Sequence, residues 1–203
     1  MPIASPKKTP SKNRRQKYAY QLLVMLEGSE PKIWRQISVP GNMTLADLDR
    51  IIQAAMGWTN SHLHQFSIEG QVYGVLDDEW VDEFPSLPDD EFTLDEVIGS
   101  KVKSFSYEYD FGDGWQHQVE VKMVMVADEM LNSWPMCLAG ANACPPEDVG
   151  GLGGYEEFLE AIQDPLHEEY EAMRRWCGGP FDPKGFDVNS ANRDIRRWLL
   201  EAE

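Results

Sequence analysis

Cysteines are few in this 203-residue chain, which has only Cys137, Cys144 and Cys177 and no Cys-x-x-Cys pair. An odd number of cysteines does not favour a disulfide framework, so we expect a reducing, cytoplasmic setting. A four-cysteine zinc site cannot be built from one chain. The sequence also lacks a run of about 18 apolar residues, which excludes a membrane-spanning helix.

Bases are scarce after residue 17. Residues 1–17 hold six bases and no acid, and we predict a disordered basic tail there. No apolar segment follows these bases, so they do not form a secretory signal. The 12 remaining bases face 35 acids, which gives residues 18–203 a net charge of −23. Such an acidic body repels phosphate backbones, and we do not expect it to bind DNA directly.

Apolar periodicity predicts an α+β fold. Residues 18–26 and 32–39 alternate in the manner of strands and are close enough in sequence to form an antiparallel hairpin. Residues 44–56 carry a helical apolar stripe, and further strands are predicted at 64–69 and near 72–75. We therefore predict a β-grasp-like mixed sheet crossed by one helix.

A second, longer hairpin is predicted over residues 102–126. A three-residue Gly-Asp-Gly loop would pair Phe111 with Trp115 and Tyr109 with His117. A two-residue turn would instead mix polar and apolar residues on each face. Only the three-residue loop keeps one apolar face, so it is the predicted register.

The C-terminal part has a different pattern. After residue 130 the apolar period lengthens to that of helices, beyond an irregular segment at 133–154 that is rich in glycine and proline. An acidic, exposed loop is predicted within residues 77–96. The predicted organisation is a basic tail (1–17), a sheet domain (18–130), and an irregular loop with a small set of helices packed on that same domain (131–203).

The best metal-ligand candidates are acids and histidines near the second hairpin. Asp110, Asp113 and His117 would be the ligands, with His62 or His64 assisting. Carboxylates and imidazoles suit zinc, manganese or iron, so a divalent metal is the one cofactor that the residues suggest. The predicted register weakens this set, because it points Asp110 and His117 to opposite faces of the hairpin.

No complete catalytic set is present. Asp110-Phe111-Gly112 spells a kinase tripeptide without the other kinase motifs. The glycine-rich run at 150–154 follows no predicted strand and is flanked by acids, which oppose a phosphate. Carboxylates near Cys144 disfavour a reactive thiolate. Arg193-x-x-Arg196 lacks the downstream tyrosine of a tyrosine recombinase. The sequence thus favours a protein that is not an enzyme.

Four segments together resemble one known family. They are KIWRQISVPGNMTLADLDRIIQAAMGWTNSHLHQFSI, YEYDFGDGWQHQV, CLAGANACPPEDVGGLGGYEEFL and FDPKGFDVNSANRDIRRWL. Over residues 18–200 the chain is similar to the plasmid pRiA-type open-reading-frame-three-like family, whose members include mobile-element passenger proteins sometimes labelled resolvase-like. The resemblance implies an α+β domain and carries over no catalytic residue. Relatives often have a cysteine where Val149 stands, so its absence argues against a cysteine-based metal site.

The resemblance and the residues lead to three hypotheses for function. The first is a cytoplasmic, non-enzymatic binding or regulatory module for an unknown protein or small molecule. The second is a metal-dependent hydrolase or nuclease, and the third is an acidic nucleic-acid mimic or an accessory protein of DNA recombination. The predicted binding surface comprises Trp58, His62, His64, Asp110, Asp113, Trp115, His117, Cys144, Glu147 and Asp148.

Overall fold

The computed structural model describes residues 17–74, 86–127 and 134–201. The predicted tail, apart from Lys17, lies outside these ranges, as do residues 77–85 of the predicted acidic loop. The elements are β1 (Tyr18–Leu26), β2 (Trp34–Pro40), α1 (Leu45–Met56), β3 (His64–Ile68), β4 (Gln71–Gly74), β5 (Leu87–Pro88), α2 (Leu94–Val97), β6 (Ser104–Tyr109), β7 (Trp115–Val126), β8 (Met136–Ala141), α3 (Gly151–Gln163), α4 (Tyr170–Trp176) and α5 (Val188–Glu201). Within the described residues, none of the helices has the length and apolar content needed to span a bilayer.

All the strands named above belong to one sheet, ordered β5-β4-β3-β6-β7-β1-β2-β8. Neighbouring strands are antiparallel except β4 and β5, which are parallel. The predicted hairpin of β1 and β2 is present. The predicted α+β class and mixed sheet are therefore confirmed.

One face of the sheet supports the core. Inward side chains alternate with polar ones along β3 and β6, as expected for a sheet buried on one side. Helix α1 contributes Leu48, Ile51 and Ile52 to this core. Its start is fixed by a capping box in which Thr44 Oγ1 accepts from the amide of Asp47 at 3.1 Å and the Asp47 carboxylate accepts from the amide of Thr44 at 3.0 Å.

The register predicted for the second hairpin is wrong by two residues. Tyr109 pairs with Trp115, so the loop has five residues rather than three. Asp110 begins the loop with φ of 54°, and its carbonyl accepts from the amide of Gly114 at 2.6 Å. Phe111 is consequently half exposed. The single apolar face survives, because a shift of two residues preserves side-chain alternation.

The segment predicted to be irregular contains a strand. Strand β8 pairs with β2 and extends the sheet beyond residue 130. Helix α5 contacts the outer edge of β8. There the side chain of Asn192 accepts a hydrogen bond from the amide of Cys137 at 2.9 Å and donates one to the carbonyl of Cys137 at 2.8 Å. The division of the chain at residue 130 stays a prediction, but the part beyond it is not only loop and helix.

A buried arginine joins α1, β2 and β8. Arg35 is only 2% exposed, and its guanidinium donates to the carbonyls of Ala55, Trp34, Ala141 and Asn142 at 2.8–3.0 Å. The Ala55 carbonyl lies at the C-terminal end of α1, where the helix dipole favours a cation. Burial lowers the pKa of Arg35 from its ordinary value. One side chain thus satisfies four main-chain acceptors at the end of the sheet.

Replacing Arg35 with methionine should destabilise the protein strongly. Arg35→Met keeps a long side chain but leaves those four carbonyls without their donor, so the free energy of unfolding should fall by about 3 kcal/mol. Urea unfolding at neutral pH measures this change. Arg197→Met is the control, because the Arg197 side chain is 71% exposed, and it should change stability by less than about 0.5 kcal/mol. Equal effects of the two variants would contradict the role assigned to Arg35.

Candidate functional site

Trp58 connects the end of α1 to a distant loop. It is buried, and its Nε1 donates to the carbonyl of Pro145 at 3.0 Å. Its ring packs against Tyr109 and Trp115, with ring centroids 5.0 Å and 6.0 Å apart. The indole therefore fixes the Pro-Pro-Glu-Asp loop against the closed end of the second hairpin.

Glu147 forms the second connection. Its carboxylate accepts from the amide and hydroxyl of Thr59 at 2.8 Å and 3.1 Å and from the hydroxyl of Tyr109 at 3.1 Å. The Tyr109 hydroxyl in turn accepts from the amide of Ser61 at 3.0 Å. Burial, followed by the charge of Glu147, raises the pKa of Tyr109 well above its ordinary value, so this hydroxyl stays protonated and can donate.

Asp113 forms the third connection. Its Oδ2 accepts from the amide of Gly150 at 3.1 Å. A Cβ at Gly151 would lie 2.6 Å from the carbonyl of Asp113, so the two loops approach at a position where only glycine fits. We call the resulting patch the joined-loop surface, which comprises residues 58–62, 110–114 and 144–150.

Three side chains of this surface converge. His62 Nε2 lies 3.0 Å from Asp148 Oδ1 and 3.6 Å from Asp110 Oδ2. Candidate ligand atoms of the three residues all lie within 4.8 Å of one another. In the described parts of the chain this is the one group of three or more histidines, cysteines or acids with that spacing. It includes Asp110 from the predicted ligands and His62, which was predicted to assist them, and it adds Asp148.

The predicted ligand set of Asp110, Asp113 and His117 is not brought together. His117 is fully buried on β7, where its Nδ1 lies 3.3 Å from the carbonyl of Tyr107. The rings of His117 and Trp58 pack edge to face, with their centroids 5.4 Å apart. Burial lowers the pKa of His117 to about 4, so the ring is neutral at pH 7. Its surroundings are those of a core residue.

Trp115 and Cys144 also make core contacts. Trp115 is fully buried beneath the hairpin loop. The thiol of Cys144 packs against the core, and burial raises its pKa well above the ordinary value, although nearby Arg35 acts in the opposite direction. A thiol in this state is not an activated nucleophile.

His64 belongs to a buried polar network rather than to the joined-loop surface. Its Nε2 lies 2.7 Å from Asp89 Oδ2, and its Nδ1 lies 3.3 Å from Asp49 Oδ1. Asp49 also accepts from the hydroxyl of Tyr107 at 2.6 Å, and that hydroxyl accepts from Gln53 at 2.8 Å. All five side chains are buried. The network reaches the site, because Gln53 Oε1 also accepts from the amide of residue 60 at 3.3 Å.

Burial and pairing shift the pKa values within this network. Burial raises the pKa of Asp49 to about 6, against the opposing effects of His64 and Tyr107. For His64, burial alone would lower the pKa, but the hydrogen bond to Asp89 and the charge of Asp49 outweigh it and raise the pKa. Both shifts make the folded state take up a proton more readily than the unfolded chain.

A groove continues from the joined-loop surface. It has a volume of about 520 Å³ and runs between α3 and α4, beginning at Asp148 and Val149. Its carboxylates come from Asp148, Glu157, Glu160 and Glu169, and its largest apolar side chains from Phe158, Met173 and Trp176. Among the residues that the structure describes, those lining the groove include His167 but neither Lys nor Arg. The groove is therefore lined by exposed carboxylates and by apolar side chains that range from the buried Phe158 to the half-exposed Trp176.

Sequence reasoning missed the buried acids and the groove. Asp49 and Gln53 are four residues apart on α1, at the spacing of its buried stripe, and this was a usable signal of an internal polar pair. Asp89 falls in the acidic segment that was predicted to be an exposed loop, and that prediction is wrong at this residue. The groove had no local signal, since it forms only when α3 and α4 pack together.

Comparison with known proteins gives consistent matches. A family profile described as plasmid pRiA4b ORF-3-like protein matches residues 18–190. A Sinorhizobium fredii protein, called uncharacterized protein y4hQ, is 39% identical over 187 residues, covering 90% of this chain and 95% of that relative. The crystal structure of a Methanosarcina mazei Go1 protein of unknown function, MM3350, is similar with a TM-score of 0.76 and 38% identity, over 86% of this chain and 98% of that one.

The buried network predicts a defined pH dependence of stability. The raised pKa of Asp49 makes its contribution to the free energy of unfolding fall as pH rises from about 4 to about 6, and the raised pKa of His64 extends the fall above about 6.5. Asp49→Asn removes the first effect and reduces the second. The free energy of unfolding of Asp49→Asn minus that of wild type should therefore increase between pH 4 and pH 7, as measured by urea unfolding.

The control for this experiment is Glu156→Gln. Glu156 is exposed on α3 and lies outside the network, so its stability difference from wild type should change much less over the same range. If the stability difference between Asp49→Asn and wild type stays constant or decreases as pH rises, the raised pKa values assigned to Asp49 and His64 are wrong.

Proposed function

The chain belongs to the plasmid pRiA4b ORF-3-like family, and we propose that this member is a non-enzymatic binding or regulatory module. Its binding surface is the joined-loop surface together with the adjoining groove between α3 and α4. The observation that carries this proposal is the composition of the groove, which combines exposed carboxylates with apolar side chains. Such a groove suits one kind of occupant better than others.

The occupant we propose is a cationic peptide segment of a partner protein. Four carboxylates and an exposed indole, that of Trp176 at 48% exposure, match arginine or lysine side chains that alternate with bulky apolar ones. An anionic ligand such as nucleic acid would be repelled by the same carboxylates and by the net charge of −23 over residues 18–203. The nucleic-acid mimic hypothesis also requires a basic partner and stays a related prediction.

We assign a structural role to two acids of the joined-loop surface, which hold its loops in place. Asp113 and Glu147 accept hydrogen bonds from the neighbouring loops, which keeps the segments together. A hydrolase or nuclease built on Asp110, Asp113 and His117 loses support, because His117 is enclosed and faces neither acid. We therefore favour binding over catalysis for this surface.

Titration with a defined peptide tests the proposal. The probe is a fluorescein-labelled nonapeptide of alternating arginine and leucine. The control peptide has the opposite charge, with glutamate in place of each arginine. The arginine peptide should bind and the glutamate peptide should not, and binding should weaken as salt is added. Glu157→Gln combined with Glu160→Gln should weaken binding about fivefold.

The matched control carries the same change in net charge. Glu156→Gln combined with Glu168→Gln alters two exposed carboxylates that do not line the groove, and it should weaken binding less than about twofold. The proposal is wrong if the arginine peptide does not bind, if both peptides bind equally, or if the two double variants behave alike.

A further inference from the structure

We propose that His62, Asp110 and Asp148 bind one divalent first-row transition metal ion, with zinc as the representative. The three residues lie on separate loops and meet only because those loops are joined. This inference is argued from observations other than those behind the proposed peptide binding, and Asp148 is the one of the three residues that also lines the groove.

The state of the His62 ring is the first observation. The side chain is 29% exposed, but its Nε2 atom is buried and makes no hydrogen bond to any described part of the chain. Asp148 Oδ1 is only 3.0 Å away, so the two atoms are close without the alignment that a hydrogen bond requires. A buried imidazole nitrogen without a partner is costly, and a metal ion between the two side chains would satisfy it.

The spacing of the ligand atoms is the second observation. Two ligands each about 2.0 Å from zinc and separated by the tetrahedral angle lie about 3.3 Å apart. The distances from His62 Nε2 to the two carboxylates are 3.0 Å and 3.6 Å, on either side of that value. These two distances therefore need to change by only a few tenths of an ångström to suit a shared ion, and the ligand atoms of the two aspartates lie within 4.8 Å of each other.

The carboxylate of Asp110 is already oriented toward this position. The residue is 6% exposed, and its Oδ1 accepts from the amides of Gly112 and Asp113 at 3.0 Å and 3.4 Å. These bonds leave Oδ2 as the oxygen that faces His62. One imidazole with two carboxylates gives a set that prefers zinc, manganese or iron to the harder magnesium and calcium, and it leaves coordination positions for water or a ligand.

An ion pair between protonated His62 and the two aspartates is the competing explanation. It predicts no stoichiometric metal binding. It also predicts that added zinc leaves the unfolding temperature unchanged, whereas an ion bound only to the folded state raises that temperature. Zinc binding measured directly therefore separates the two explanations.

Isothermal titration of zinc chloride into tag-free, EDTA-treated and dialysed protein is the test. Wild type should bind one equivalent, and zinc should raise its melting temperature. Asp110→Asn, Asp148→Asn and His62→Ala should each weaken zinc binding about tenfold or more. The asparagine variants keep the size of the side chain, its acceptor oxygen and its tolerance of a left-handed backbone, which Asp110 and Asp148 require at φ of 54° and 59°.

Two variants serve as controls. Asp113→Asn retains the acceptor for the Gly150 amide, and His167→Ala removes a histidine of the groove. Both should bind zinc as tightly as wild type. The proposal is overturned if wild type binds no zinc, or if Asp113→Asn loses zinc binding as severely as His62→Ala. It is also overturned if Asp110→Asn, with the same stability to urea as wild type, binds zinc with the affinity of wild type.

Discussion

The indole of Trp58 lies where three parts of the site meet. It follows α1, packs on Tyr109 and Trp115 at the closed end of the β6–β7 hairpin, and donates to the carbonyl of Pro145 in the distant acidic loop. Large aromatic residues with one polar atom are well suited to such junctions, since they bury much surface and still satisfy a main-chain group. This contact acts together with the hydrogen bonds of Glu147 and Asp113 to fix the acidic loop relative to the hairpin.

Most strands and helices could be predicted from the sequence, and the reasons are local. Thr44, Asp47 and Gly57 mark both ends of α1, and strict alternation marks β3 and β6. The hairpin register could not be predicted, because the predicted three-residue loop and the observed five-residue loop keep the same apolar face. The choice depended on Asp110 adopting a left-handed conformation, which no count of apolar residues reveals. Strand β8 was missed because its pairing partner, β2, is about 100 residues away.

The candidate site was predictable as a set of segments but not as a set of ligands. The segments around Trp58, Asp113 and Glu147 lie against one another in the structure. Which side chains converge is decided by the loop conformations, which turn His117 into the core and leave His62 beside Asp110 and Asp148. The buried His64 network shows the same principle, since its two acids come from α1 and from the segment after β5.

The contact of Asn192 with strand β8 has a consequence for how copies of this protein behave together. An outermost strand offers unpaired amides and carbonyls to which a neighbouring molecule can add a strand of its own, a route to fibrils and other aggregates. The carboxamide of Asn192 occupies one such donor and acceptor, both on Cys137, and α5 covers that position. Because Met136 and Leu138 expose apolar surface on either side of it, the Asn192 carboxamide removes two of the backbone groups through which a second copy could pair with this apolar edge.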